Sequence, residues 1–118
     1  MANRVLILCD DLIFTSKIAA TARAHGLDAS VARTQEALVA KLAADPAACV
    51  IVDLHNVTLN WASLFAMLGE PRPRFVGFGS HVDKSVLEAA RSAGCDLVMP
   101  RSQFVKLLET DLPKWAEK

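Results

Sequence analysis

The sequence predicts a three-layer α/β domain, a doubly wound five-stranded parallel sheet with helices on both faces. Three observations lead there. Apolar strand-like runs alternate with helix-period segments along the chain, the connections between them are short, and Val5 to Cys9 carries no polar break. An unbroken apolar run suits a strand covered on both sides, and strands separated by helices pair in parallel through crossovers. With 118 residues the chain reads as one domain, 1–118, large enough to bury a core without staples.

Taken in order, Arg4 to Cys9 (RVLILC) is the first strand and ends in Asp10-Asp11. Thr15 to His25 follows as a helix with Ile18, Ala19 and Ala22 inward, Thr15 or Ser16 as cap, and Gly26 as its stop. Leu27 to Arg33 alternates, as a more exposed strand does, and Thr34 caps a helix carrying Ala37, Leu38 and Leu42 that Asp45-Pro46 terminates. Cys49 to Asp53 is the third strand. Asn60 to Leu68 places Trp61, Leu64, Phe65 and Leu68 on one helical face. Arg74 to Ser80 is the fourth strand, whose two glycines permit close backbone approach. Asp83 caps a helix from Lys84 to Ala93, closed by Gly94. Asp96 to Pro100 is a short fifth strand whose proline favours a sheet edge. Ser102 is the candidate cap of a last helix through Phe104, Leu107 and Leu108, and Thr110 begins a separate segment with Pro113 in its first turn.

Thirteen basic and thirteen acidic residues balance, which gives no net attraction for nucleic acid or an anionic membrane. The apolar stretches fall short of the ~20 residues that a membrane-spanning helix needs. No signal-peptide pattern opens the chain, so a cytoplasmic location is the expectation. Cys9, Cys49 and Cys95 lack metal-ligand spacing, and Cys49 and Cys95 would lie about two strand spacings of ~4.8 Å apart; buried free thiols are expected.

In open parallel sheets the site lies at the carboxyl ends of the strands, where the strand order reverses. In the flavodoxin-like order 2-1-3-4-5 the first and third strands are neighbours, so Asp10, Asp11 and Asp53 are expected to converge. Like charges that close call for a counter-charge, and oxygen-only ligands suit Mg²⁺. His55 is placed beside this acidic site, His25 at a helix end, and His81 either at the site or in a turn.

With these residues in place the chain resembles the receiver domain of bacterial response regulators along nearly its whole length. The resemblance implies Mg²⁺ binding by Asp10 and Asp11 together with Asp53, and phosphoryl transfer to Asp53 from a sensor histidine kinase. The stretch EAARSAGCD (Glu88 to Asp96) resembles the family's approach to its fifth strand. Several positions depart. Gly79 stands where the family has Ser or Thr, with Ser80 one place later. The family's Lys-Pro matches Arg101-Ser102 in an ungapped count or Met99-Pro100 if the proline is kept. Val98 takes the place of the switch aromatic, and the Pro and Gly after the phosphoacceptor are absent from DLHNVTLNW. Arg101 is not a neutral replacement for Lys.

Trp115 either covers the core or joins an interface; with Val98 and Phe104 it suggests a partner surface on the last helix and edge strand, which receivers use to dimerise. The implied function is a non-enzymatic, stand-alone signalling module without an output domain, acting through a homodimer or a downstream signalling protein. Two mechanisms are open: phosphorylation of Asp53 assisted by Arg101 and Ser80, or a pseudo-receiver that binds constitutively. The departures favour the second. The competing class is a flavodoxin-like ligand or nucleotide binder or enzyme, although no glycine-rich phosphate loop follows the first strand. The Asp53-x-His55 pair also occurs in cobalamin-binding motifs, but Thr58 replaces the glycine that completes them.

Overall fold

Strands β1 (Arg4–Leu8), β2 (Asp28–Ala32), β3 (Cys49–Asp53), β4 (Arg74–Gly79) and β5 (Leu97–Pro100) alternate with helices α1 (Leu12–Ala24), α2 (Gln35–Ala44), α3 (Trp61–Leu68), α4 (Lys84–Ala93) and α5 (Arg101–Trp115) in a computed structural model that describes residues 3–117. All neighbouring strands pair in parallel, in the order β2-β1-β3-β4-β5. The expected doubly wound architecture and its strand order are therefore present.

Side-chain alternation divides the core. Val5, Ile7, Ile51, Val76 and Phe78 face α1 and α5, whereas Leu6, Leu8, Val50, Val52 and Phe75 face α2, α3 and α4. Because β1 and β3 are buried on both faces, both parities are apolar, which is why their sequences show no polar alternation. Arginines at the amino ends of two strands close helix carboxyl ends. Arg4 donates to the carbonyls of Asp45 (2.7 Å) and Lys41 (3.3 Å) and pairs with the Asp45 carboxylate at 3.0 Å, while Arg74 donates to those of Lys114 (2.9 Å) and Trp115 (3.1 Å). Gly94 ends α4 at φ +107°, a conformation that side chains disfavour.

Three expectations are corrected. Helix α1 starts at Leu12, because Asp11 caps it by accepting from the amides of Ile13 and Phe14, both at 3.1 Å; Thr15 is buried inside the helix. Helix α5 is continuous: neither Ser102 nor Thr110 starts a segment, and Pro113 sits inside its last turn. Phe104 and Trp115 are core residues, not a partner surface. They are 0% and 5% exposed and stack on each other at 5.7 Å, and Phe104 stacks in turn on Phe78 at 4.7 Å. Their area is spent inside the domain. Val98 is half-buried against the α2–α4 side of the core.

The continuity of α5 has an identifiable cause in a long-range contact. A proline lacks the N–H that would bond the carbonyl four residues earlier, here that of Glu109. His25 at the end of α1 supplies the missing donor: its Nε2 lies 2.7 Å from the Glu109 oxygen, and a carbonyl only accepts, so Nε2 carries the proton. His25→Ala is expected to cost about 1 kcal/mol in urea denaturation. In a Pro113→Ala background, where an N–H is restored to the helix, the same substitution should cost clearly less, and equal costs in the two backgrounds would refute the compensation.

Candidate functional site

Every strand runs toward one edge of the sheet, and the connections after β1, β3, β4 and β5 bring the predicted residues to it. Asp53 ends β3 and is 6% exposed. Its Oδ1 accepts from the His55 amide at 2.9 Å, and its Oδ2 lies 3.7 Å from the Cys9 sulfur, within reach of a weak S–H donor. The carboxylate is thus engaged through both oxygens by its own loop and by the end of β1.

Asp10 and Asp11 follow β1 as expected, but the three acids do not close into a ligand set. Asp10 is exposed, and Asp11 Oδ1 is committed to the start of α1. Among the described residues no group of three or more His, Cys, Asp or Glu side chains is placed to hold a metal ion. Turning Asp11 inward would release two helix amides at a cost of about 1 kcal/mol. With Asp11 Oδ1 used for capping, the three acids do not form the converged ligand set that the sequence suggested.

The cation and hydroxyl expected opposite Asp53 are also rearranged. Met99 is buried in the α1–α5 side of the core, and Arg101, in the first turn of α5, is exposed with its guanidinium carbon 5.3 Å from the Phe14 ring centroid and 5.7 Å from that of Phe78. Arg101 forms no ion pair with Asp10, Asp11 or Asp53 among the described residues. Gly79 has no side chain to offer; a Cβ there would lie 3.3 Å from His55 Nε2. Ser80 donates its amide to that same Nε2 at 2.9 Å, and its Oγ accepts from the Val82 amide at 3.4 Å. His81 is an exposed turn residue.

The loop after Asp53 keeps its shape without proline or glycine. Asn56 Oδ1 accepts from the Thr58 amide at 3.0 Å and its Nδ2 donates to the Arg33 carbonyl at 2.9 Å, while buried Gln35 accepts from the Asn60 amide at 2.7 Å and donates to Ser63 Oγ at 2.8 Å. Neither the Asn56–Gln35 network nor the Cys9 contact was anticipated from the sequence. A polar residue in the loop facing another opening α2 was the available signal. Leu54 packs on Gly77, where a Cβ would fall 2.8 Å from Leu54 Cδ2 and 3.4 Å from Cys95 Sγ.

Comparison with solved structures places the fold among receiver domains of response regulators. A receiver domain from Bermanella marisrubri superposes with a TM-score of 0.83 at 18% identity, covering 99% of this chain and 100% of that one. A putative response regulator from Chloroflexus aurantiacus gives 0.82 at 14% identity, with all of both chains covered. A response regulator from Burkholderia pseudomallei, with a phosphorylated aspartic acid, calcium ion and citrate, gives 0.72 at 17% identity over 95% of this chain and 69% of that chain. No family model matches the sequence, and no curated protein does.

All three cysteines are free and buried. Burial is the first cause that pushes each thiol up from 9.0, Cys9 to about 11, with Asp53 adding to the rise, and Cys49 and Cys95 to about 12. The folded state therefore holds protons that the unfolded chain releases. This contribution is complete below about pH 9 and is lost as pH rises through the folded values. The denaturant midpoint is expected to fall as pH is raised from 9.0 toward about 11, less so in Cys49→Ala, and alkylation of the native thiols at neutral pH should be slow. Gly77→Ala should destabilise by about 1–3 kcal/mol, measured by thermal or urea unfolding, since buried Leu54 must give way.

Proposed function

We propose that this chain is a divergent receiver: a non-enzymatic signalling module whose surface is read by another protein and held in one conformation without phosphorylation. The fold supports the signalling class. The observation that carries the constitutive reading is Asp53 itself, engaged through both carboxylate oxygens, with no hydroxyl at position 79 and with Arg101 stacked over aromatic rings. A phosphoryl oxygen arriving there would meet few free donors.

The surface available to a partner lies on the loops and the first turn of α1 at the same edge. Leu12, Ile13, Val57 and Val82 are 61%, 86%, 94% and 75% exposed, beside exposed Asp10 and Asp11. A downstream signalling protein that covers such side chains gains apolar burial. No helix among the described residues is long and apolar enough to cross a membrane, and a cytoplasmic setting suits three free thiols.

A second reading keeps Asp53 as a phosphoacceptor served by a sensor histidine kinase and Mg²⁺. It rests on the position of Asp53 at the carboxyl end of β3 in the fold of a neighbour that carries a phosphorylated aspartic acid. One titration separates the two. With saturating Mg²⁺ and beryllofluoride or acetyl phosphate, backbone amide spectra of the native protein are expected to stay unchanged. A saturable change that Asp53→Asn abolishes would establish the second reading.

A further inference from the structure

We infer that His55 is a positioning residue whose imidazole takes the place of the missing hydroxyl at position 79, clamping the β3–α3 loop to the β4–α4 loop and fixing the start of α4. The inference deepens the constitutive reading by naming what holds the surface still. It stands on complementary absences and contacts in one spot. The backbone of His55 is fixed by donation of its amide to Asp53 Oδ1 at 2.9 Å, and its ring reaches across to accept from the Ser80 amide at 2.9 Å.

Gly79 makes room for the ring. A Cβ at that position would stand 3.3 Å from His55 Nε2, 3.4 Å from Leu87 Cδ2 and 3.5 Å from Leu54 Cβ, so even an alanine would be tight and a side-chain oxygen beyond Cβ would contest the imidazole's space. An acceptor at Nε2 also fixes the neutral tautomer, with the proton on Nδ1. This is the reverse of His25, whose Nε2 donates.

From Ser80 the order passes onward. The Ser80 carbonyl accepts from the Asp83 amide at 3.1 Å, and Asp83 caps α4 by accepting from the Val86 amide at 3.3 Å and from Ser85 Oγ at 2.9 Å. One imidazole therefore anchors the turn from Ser80 to Asp83 and, through it, the entry to α4. Without that anchor the Ser80 amide has no protein acceptor and the turn is held from the helix side alone.

The test is amide hydrogen exchange of Ser80 with imidazole ¹⁵N spectra, recorded near pH 8 so that an ordinary histidine is neutral. In the unaltered protein His55 is expected to show a protonated Nδ1 and a bare Nε2. His55→Ala should speed Ser80 exchange by roughly 5- to 10-fold, the equivalent of one modest hydrogen bond. His55→Gln, whose side-chain carbonyl reaches the place of Nε2, should restore protection, and the shorter His55→Asn should not. Gly79→Ser should displace the ring and raise exchange as His55→Ala does.

A protonated Nε2 in the native protein, or Ser80 exchange indifferent to His55→Ala, would overturn the clamp. The spectra of the native protein decide this even if a variant folds poorly. A beryllofluoride response in the native protein would instead overturn the constitutive reading, while the clamp would still stand or fall on Ser80 protection.

Discussion

Parallel pairing sends every strand toward the same edge and requires every helix to begin there, and the rest of this molecule follows from that constraint. Five helix starts crowd the edge, and four of them are capped by the side chains of Asp11, Thr34, Asn60 and Asp83. Each cap is a polar side chain at the place where a site would also need polar side chains. Capping and ligand binding therefore compete for the same residues. Asp11 shows which side wins: its Oδ1 satisfies two amides at the start of α1, and the three-carboxylate cluster that the sequence suggests does not assemble.

That competition also explains which parts of the molecule could be read from the sequence. β3 and α4 are bounded as expected, since a strand buried on both faces is apolar throughout and α4 is framed by a capping Asp83 and a left-handed Gly94. The start of α1 was hidden, because an acid that caps and an acid that binds look alike in a sequence. The break expected in α5 failed for a non-local reason. Pro113 carries a local signal, whereas the group that compensates for it, His25, lies 84 residues from the carbonyl it serves. Phe104 and Trp115 suit a surface as well as a core in the sequence, because periodicity separates apolar from polar faces and not a core from an interface. Their stack on Phe78, which packs in turn against Phe14 at 4.9 Å, exists only once β4, α1 and α5 are assembled.

The candidate site was legible in position and illegible in orientation. Asp53 stands at the end of β3 and Gly79 at the end of β4, as the apolar runs before them require. Which way each carboxylate turns depends on neighbours such as Cys9 and the His55 amide that the strand pattern does not specify. Position 79 reads as a simple loss when taken alone. Beside His55 it becomes an exchange, since the absent Cβ is what admits the ring.

The exchange changes the chemistry that the edge can present. A hydroxyl both donates and accepts and rotates between partners at little cost, so it can follow a change in charge nearby. A neutral imidazole whose Nε2 is unprotonated only accepts through that atom, and here the lone pair is already spent on Ser80. Asp53 likewise offers only acceptors when ionised, and the amides of His55 and Ser80 are already committed to Asp53 and His55. An incoming anion would have to break these bonds before making its own, against the negative charge of Asp53 and with Arg101 held over the Phe14 and Phe78 rings. On the proposed constitutive reading, a pocket built this way resists charging. Its hydrogen bonds instead stabilise a single arrangement of the loops, and a fixed arrangement is what a partner that reads shape requires.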